Sequence, residues 1–255
     1  MDNKIKIGYP AIIFLTLVLL FALNFIAAYS ESPLLLNASK VVFVPFILMI
    51  FFIKHKTLSL IFIAFLLFSF FGDSTSWFLS SDSVANGSNI MYLISYLILI
   101  VMAIPYFKPV KIDKIIGIYL LVILSINGYF LFTICDMLRN LITDSTEMIL
   151  FGTKSMALLL LVFISFTVYL STQTKASILF LIMAISFAFS DALNYVTHYY
   201  IYNWSILLMD RLLHITGLIF AFTYIIEINK VSEKTYANTS VVKDGIFSRN
   251  ISWLK

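Results

Sequence analysis

The chain has 255 residues, of which 61% are hydrophobic and only 12% are Asp, Glu, Lys or Arg, with a formal net charge of +4; its mean hydropathy is +1.00. A soluble domain runs at about 45–50% apolar and about 25% charged, so this supply of polar residues cannot cover a water-facing surface. That excludes a soluble enzyme, a disordered chain and a nucleic-acid-binding domain, and the single cysteine, Cys135, excludes intrachain disulfides and multi-cysteine metal sites.

A membrane-crossing helix needs roughly 20 mostly apolar residues. Eight runs meet that need, at 10–28, 33–53, 57–78, 89–107, 114–134, 152–171, 176–199 and 204–227. Lys4 and Lys6 precede the first run. Its apolar stretch is longer than a signal-peptide core and no A-x-A site follows, so it reads as a first span. The links are mostly short, which makes consecutive spans antiparallel neighbours. The longest internal link, 135–151, carries Asp136, Arg139, Asp144 and Glu147 and is expected as a polar loop with a surface turn. Beyond 230 the chain mixes Lys, Glu, Ser, Asn and Thr, and a flexible cytoplasmic tail is expected. The fold class is therefore all-α and polytopic: an eight-helix transmembrane domain over 1–229 and a tail over 230–255.

Orientation follows from the basic residues. Lys4, Lys6, Lys54, Lys56, Lys108, Lys111, Lys114, Lys175 and the C-terminal Lys230, Lys234, Lys243, Arg249 and Lys255 all fall on one side of the eight-span plan. Arg139 and Lys154 fall on the other, and Lys40 and Arg211 lie inside spans. The positive-inside rule puts both termini in the cytoplasm. The positive charge then marks topology and lipid headgroups, with no nucleic-acid partner needed, and the expected location is the plasma (inner) membrane.

Ionisable side chains inside spans are costly and are functional candidates by default. They are Lys40 in the second span, Asp73 in the third, Asp191 and His198 in the seventh, and Asp210, Arg211 and His214 in the eighth. The third and seventh spans run outward and carry their aspartates late; the second and eighth run inward and carry their charges early. All seven side chains therefore fall in the outer half of the membrane, which predicts one polar chamber opening outward. Ser69 and Asp73 share a helix face at i, i+4, Asp191, Asn194 and His198 share one at i, i+3, i+7, and Asp210 and His214 share one at i, i+4. Gly72 beside Asp73 allows close helix approach. Simpler accounts exist for some of these residues. Lys40 can snorkel to the interface, Asp210 sits where an N-terminal helix dipole favours an acid, and His198 suits a polar lip. Asp73 and Asp191 lie deeper, in spans with few other charges, and are the first candidates for chemistry.

Two carboxylates in one chamber suit acid–base hydrolysis, one donating a proton and the other activating water. Glycosidases apply this logic to acetals through an oxocarbenium-like transition state. A vinyl ether is a chemical cousin: protonation of its carbon gives an oxocarbenium ion, water adds, and the hemiacetal collapses to an aldehyde and an alcohol. The same residues could relay protons or cations in a transporter. Metal binding is disfavoured, since only Asp191, His198, Asp210 and His214 could be assembled into a site and no H-x-x-x-H exists. A retinal protein is disfavoured because the seventh span has no lysine for a Schiff base, and neither G-x-S-x-G nor a P-loop occurs. No cofactor is expected.

Three stretches together resemble the YhhN-like lysoplasmalogenase family. Phe68-Ser69-Phe70-Phe71-Gly72-Asp73 looks like its F-S-x-x-G-D signature, Ser190-Asp191 with Leu193 and Asn194 looks like its S-D signature, and Ser39-Lys40 with Pro45 is similar to its T-K-P-x-x-x-P motif. The resemblance covers roughly 10–227. Departures mark a divergent member: Met91–Tyr96 lacks the family's histidine, the last span has His214-Ile215-Thr216-Gly217 without a glutamine, and Val41 rather than proline follows Lys40. The resemblance implies hydrolysis of the vinyl ether bond of a lysolipid to a fatty aldehyde and a glycerophospho-alcohol. It implies Asp73 and Asp191 as the catalytic pair, with Lys40 holding phosphate or tuning an aspartate. Ser69, Ser190, Asn194, Asp210, Arg211 and His214 are the further substrate-binding candidates. In this reading Asp191 donates the proton and Asp73 activates the water. The alternative is a non-enzymatic lipid-binding protein or small-molecule transporter, against which stands the presence of only one proline, Pro45, well inside a span.

Reporter fusions at the C-terminus and between the third and fourth spans should report opposite sides of the membrane. A C-terminal reporter facing outward would remove the depth argument with the topology.

Overall fold

In a chain this apolar the backbone must bond to itself, and helices do so within one segment. A computed structural model describes residues 9–30, 32–54, 58–78, 81–106, 114–139, 142 and 144–251. Among the described residues every regular element is helical: α1 (Tyr9–Ser30), α2 (Pro33–Val41), α3 (Phe43–Lys54), α4 (Leu60–Phe78), α5 (Ser81–Ala103), α6 (Lys114–Leu138), α7 (Ser145–Thr172), α8 (Lys175–Tyr199) and α9 (Trp204–Ile251). Five stretches are long and apolar enough to cross a membrane: 83–106, 117–138, 145–172, 175–199 and 204–230. Shorter apolar helical stretches occupy 18–30, 34–49 and 60–75. The chain is a helical membrane protein. Lys4, Lys6, Lys56, Lys108, Lys111 and Lys255, six of the basic residues that orient the eight-span plan, lie outside the described residues.

Several boundaries differ from the hydropathy reading, each for a local reason. The run 33–53 is two helices, α2 and α3, parted at Val42. Pro45 has no N–H for the Val41 carbonyl and its ring crowds that carbonyl. Flanking bonds survive, from Val42 N–H to Ala38 O at 3.2 Å and from Phe46 N–H to Val42 O at 3.1 Å, so the helix is interrupted rather than ended. The link 135–151, expected as a polar loop, is mostly helix: α6 runs to Leu138 and α7 starts at Ser145. Leu138 is fully buried against Phe151 and Tyr195, which holds the end of α6 in place. Asp144 caps α7, its Oδ1 accepting from the Thr146 N–H at 2.9 Å. α5 begins at Ser81, eight residues before the apolar run, and tightens to a 3-10 turn at Ile104–Tyr106 around Pro105. α9 continues through 228–251, most of the stretch expected as a tail. At ~1.5 Å per residue its 48 residues measure about 70 Å, more than twice the ~30 Å hydrocarbon core.

The core is aromatic and aliphatic and lies among α4, α5, α8 and α9. Phe62, Phe65, Leu99, Phe180, Met183, Phe187 and Leu218 are all essentially inaccessible. Phe62 meets Phe222 edge-on at 5.1 Å and Phe180 meets Tyr224 at 4.9 Å. At Gly217 a Cβ would come within 2.7 Å of the Phe187 ring, so α9 and α8 approach as closely as they do because that position is bare. α7 and α8 join through Gln173, in a left-handed conformation at φ 46°, and a capping box between Thr174 and Ser177. α6 packs on α7 and stays exposed along most of its length, as with Ile118, Leu121 and Phe132.

Most hydroxyls within the helices bond back to their own helix. Ser165 donates to Leu161 O at 2.6 Å, Thr167 to Phe163 O at 2.9 Å and Thr216 to Leu212 O at 2.7 Å. Such groups are satisfied without a partner helix, which separates them from the polar side chains that reach across.

Asp144 ties α7 to α5 as well as capping it, since Asn86 Nδ2 donates to its Oδ2 at 3.0 Å. That hydrogen bond first, and the Thr146 N–H second, hold its carboxyl below the usual aspartate range. A lowered folded-state value contributes stability above the unfolded value and loses it as pH falls through the folded one. Asp144→Ala should lower the thermal midpoint at neutral pH in detergent. The gap to the parent should close only below about pH 4, where an unfolded aspartate takes up its proton. A gap of constant size down to strong acid would show that the carboxylate charge is not what the cap uses.

Candidate functional site

The side chains that do not bond back converge. On α4, Asp73 is 3% exposed and its Oδ1 accepts the Tyr92 hydroxyl from α5. Tyr92 reaches it because its ring lies on Gly72, where a Cβ would stand 3.1 Å from the ring. The other carboxylate oxygen, Oδ2, faces His214 Nε2 of α9 at 3.7 Å. Both atoms are buried without a hydrogen bond, so a small side-chain adjustment would join them. The His214 ring is packed between Tyr92, at 5.9 Å and nearly perpendicular, and Phe187, at 5.5 Å.

On α8, successive residues engage different neighbours. Ser190 donates to Asp210 Oδ1 of α9 at 2.6 Å. Asp191 accepts from Lys154 Nζ of α7 at 2.6 Å, an ion pair whose side chains are 12% and 5% exposed. One residue beyond Asp210, Arg211 Nη1 donates to the Leu36 carbonyl at 3.0 Å and to Ser39 Oγ at 3.4 Å, both on α2. Lys40 follows at the end of α2, at the break that Pro45 makes.

These helices enclose a polar cavity of about 20 Å³, room for about one water molecule. Its polar lining comes from Lys40 on α2, Tyr92 and Tyr96 on α5, Ser190, Asp191 and Asn194 on α8, and Asp210, Arg211 and His214 on α9. Seven of the site residues read from the sequence, Lys40, Ser190, Asp191, Asn194, Asp210, Arg211 and His214, therefore border one space. Asp73 stands behind it, in contact with two of its walls, Tyr92 and His214. Ser69 is buried one turn away on α4 and does not line the cavity; His198 is exposed, edge-on to the Tyr199 ring at 4.6 Å, and does not line it either.

Lys154, Tyr92 and Tyr96 were not among the sequence candidates. Lys154 stands at the third position of an apolar run and was counted as a charge of the outer side. The Asp144 cap starts α7 nine residues before it, so it lies well inside the helix. Tyr92 and Tyr96 share a face at i, i+4, the one signal available for them. Lys40, expected as the cation beside an aspartate, makes no ion pair within 4 Å among the described residues; Lys154 holds that position. Nor do the described residues place three His, Cys, Asp or Glu side chains so as to hold a metal ion.

Comparison with protein-family models, curated proteins and solved structures finds no match to this chain.

Chemically, the cluster has three carboxyl groups, three basic side chains and an imidazole, all buried or half-buried and most of them bonded across helices. It can hold protons at several sites and present them to a water-sized space. Removing one partner of a buried ion pair leaves an uncompensated charge and costs about 3–5 kcal/mol, whereas replacing both by apolar groups is often neutral. Lys154→Met should thus lower stability by about that amount in thermal unfolding of the purified protein, and adding Asp191→Leu should restore most of it. A single variant that unfolds with the parent would show that the pair does not hold α7 to α8.

Proposed function

We propose that this is a membrane-embedded hydrolase that cleaves the vinyl ether bond of lysoplasmalogen-like lysolipids by acid–base catalysis, a divergent relative of the YhhN-like lysoplasmalogenases. The observation that carries the reading is the small polar cavity, lined by carboxylates, cations and an imidazole inside an apolar bundle. Water has few ways into hydrocarbon, and a hydrolase needs one water held against groups that trade protons. The motif stretches around Asp73, Asp191 and Lys40 supply the substrate class.

The contacts favour a division of labour opposite to the one expected from the sequence. Asp191 is engaged by the Lys154 ammonium, so it is the carboxylate that takes a proton from water. Asp73 is bonded to Tyr92 and faces His214, so the proton delivered to the vinyl carbon comes from the Asp73–His214 pair. Protonation of that carbon gives the oxocarbenium ion, the water oxygen adds to its carbon centre, and Asp191 accepts the released proton. The hemiacetal then collapses to the aldehyde as a proton passes to the departing glyceryl oxygen. One vinyl ether and one water become one aldehyde and one alcohol. Lys40, which makes no ion pair among the described residues, and Arg211 are the cations for the phosphate.

The topology proposed with it has eight crossings, α2 and α3 together making the second, both termini in the cytoplasm of a plasma (inner) membrane, and the cavity in the outer half. The lysine asymmetry and the shorter apolar helices support that count. The interrupted α2–α3 helix, with Lys40 beside the break, is the feature a transporter would use, since broken helices build transport sites. Transporters of that design carry a second interruption at a matching position. α4 to α9 show none among the described residues.

Purified protein should release fatty aldehyde, detected by mass spectrometry, from an alkenyl lysolipid and not from its saturated ether analogue. Asp73→Asn and Asp191→Asn should each lower the rate by at least about 100-fold, as lost general acid–base catalysis does, with the protein still monodisperse in detergent. Hydrolysis retained in either variant would end the two-carboxylate mechanism. No aldehyde from any ether lysolipid would leave the binding or transport reading.

A further inference from the structure

A second, larger space lies beside the polar one. Between α6, α7 and α8 runs a cavity of about 360 Å³, within the size range of small-molecule pockets. Its walls are apolar, with Leu120 and Leu131 on α6, Phe163 and Phe166 on α7, and Leu181 and Ala188 on α8. Asn127 is one of its few polar side chains, and it donates back to Ile123 O at 2.8 Å on its own helix. Asp191 lines this cavity and also the polar one. The apolar space therefore meets the polar space at Asp191, the partner of Lys154.

We infer that this cavity binds the single hydrocarbon chain of the lipid substrate and presents the first polar bond of that lipid at Asp191. The inference rests on the hydrolase reading for the identity of the substrate, and on the cavity alone for the chain. Length supports it. Ten residues separate Leu181 from Asp191 on α8, about 15 Å at the helical rise, which is half of the ~30 Å hydrocarbon core and so the reach of one lipid chain. The volume, about 360 Å³ along α6, α7 and α8, accommodates a hydrocarbon chain. The arrangement also accounts for α6. Its residues 120, 123, 124, 127, 131 and 134 fall on one face and line the cavity, so α6 stands off α8 with its other face to lipid. A substrate chain gains little free energy by leaving other lipid tails for an apolar wall. The cavity thus selects by length rather than by hydrophobicity.

The test uses the full chain in nanodiscs and a saturated 1-O-alkyl lysophosphatidylethanolamine, which cannot be hydrolysed, carrying a photoreactive diazirine at the chain terminus or beside the glycerol. Irradiation and peptide mass spectrometry locate the label. The terminal diazirine should label the region of Leu120, Phe166 and Leu181, and the glycerol-proximal one the region of Ala192 and Tyr195. Leu181→Trp, which shortens the space, should weaken labelling by an octadecyl probe roughly tenfold, the scale of an overpacked apolar site, and leave a decyl probe unaffected. Labelling spread over the lipid-facing residues Ile118, Leu121 and Phe132 instead, or an octadecyl signal untouched by Leu181→Trp, would overturn the chain site. Aldehyde release from an alkenyl lysolipid is scored separately. Hydrolysis with labels outside the cavity removes the chain site and keeps the hydrolase; labels inside it without hydrolysis keep the chain site and remove the hydrolase.

Discussion

A charge inside hydrocarbon must find a partner, and that requirement arranges this bundle. Asp191, Asp210, Lys40, Arg211 and His214 line a single space, and Asp73 and Lys154 reach it from behind through His214 and Asp191. Each bond that satisfies them crosses between helices: Lys154 joins α7 to α8, Ser190 with Asp210 joins α8 to α9, Arg211 joins α9 to α2, and Tyr92 with Asp73 joins α5 to α4. Burying the helices' apolar faces against one another supplies little drive where lipid tails are equally apolar. The helices are held by close packing at bare positions such as Gly217 and by this polar ring.

The ring explains which features of the chain can be read in one dimension. An intramembrane aspartate stands out against Leu and Phe wherever it falls, so Asp73, Asp191, Asp210, Arg211 and His214 announce themselves. Periodicity then places each on a helix face. Lys154 does not announce itself, because hydropathy begins the span at 152 and a lysine at the edge of a span looks like an interface residue. The helix itself begins at the Asp144 cap, and the cap is a matter of one carboxylate and one N–H rather than of hydrophobicity. The same blindness moved the start of α5 and the end of α6. Tyr92 is hidden differently. Tyrosine is common near membrane interfaces, and only the close approach at Gly72 makes this one a partner of Asp73. The break at Val42 follows from Pro45 alone, but its use, placing Lys40 at the polar space, requires α9 to be in place.

The composition of the cluster, three carboxyl groups and three basic side chains, is also a chemical statement. In the proposed reading, a headgroup that draws on a bonded residue must exchange an internal contact for an external one. Among the described residues Lys40 makes no ion pair, so in the proposed reading a phosphate would meet it without first breaking one. Lys154 is committed to Asp191, and Arg211 to α2 through the Leu36 carbonyl and Ser39. Three basic residues that composition treats as equivalent thus differ in what they are bonded to.

The two cavities complete that division. The polar one has the size of a water molecule and the apolar one a volume of about 360 Å³ along α6, α7 and α8, and Asp191 is common to both. A lysolipid has the same two-part character, one chain and one polar head joined at an ether oxygen. When the chain lies along α6, α7 and α8, the atom at the junction of tail and head arrives at the junction of the two spaces. The carboxylate standing there is held on α8 by its pairing with α7, and the water-sized space lies directly behind it. Placement of the scissile bond would then follow from chain length and the register of α8 alone. A bundle with few polar contacts to offer could in this way position a substrate that is itself mostly hydrocarbon.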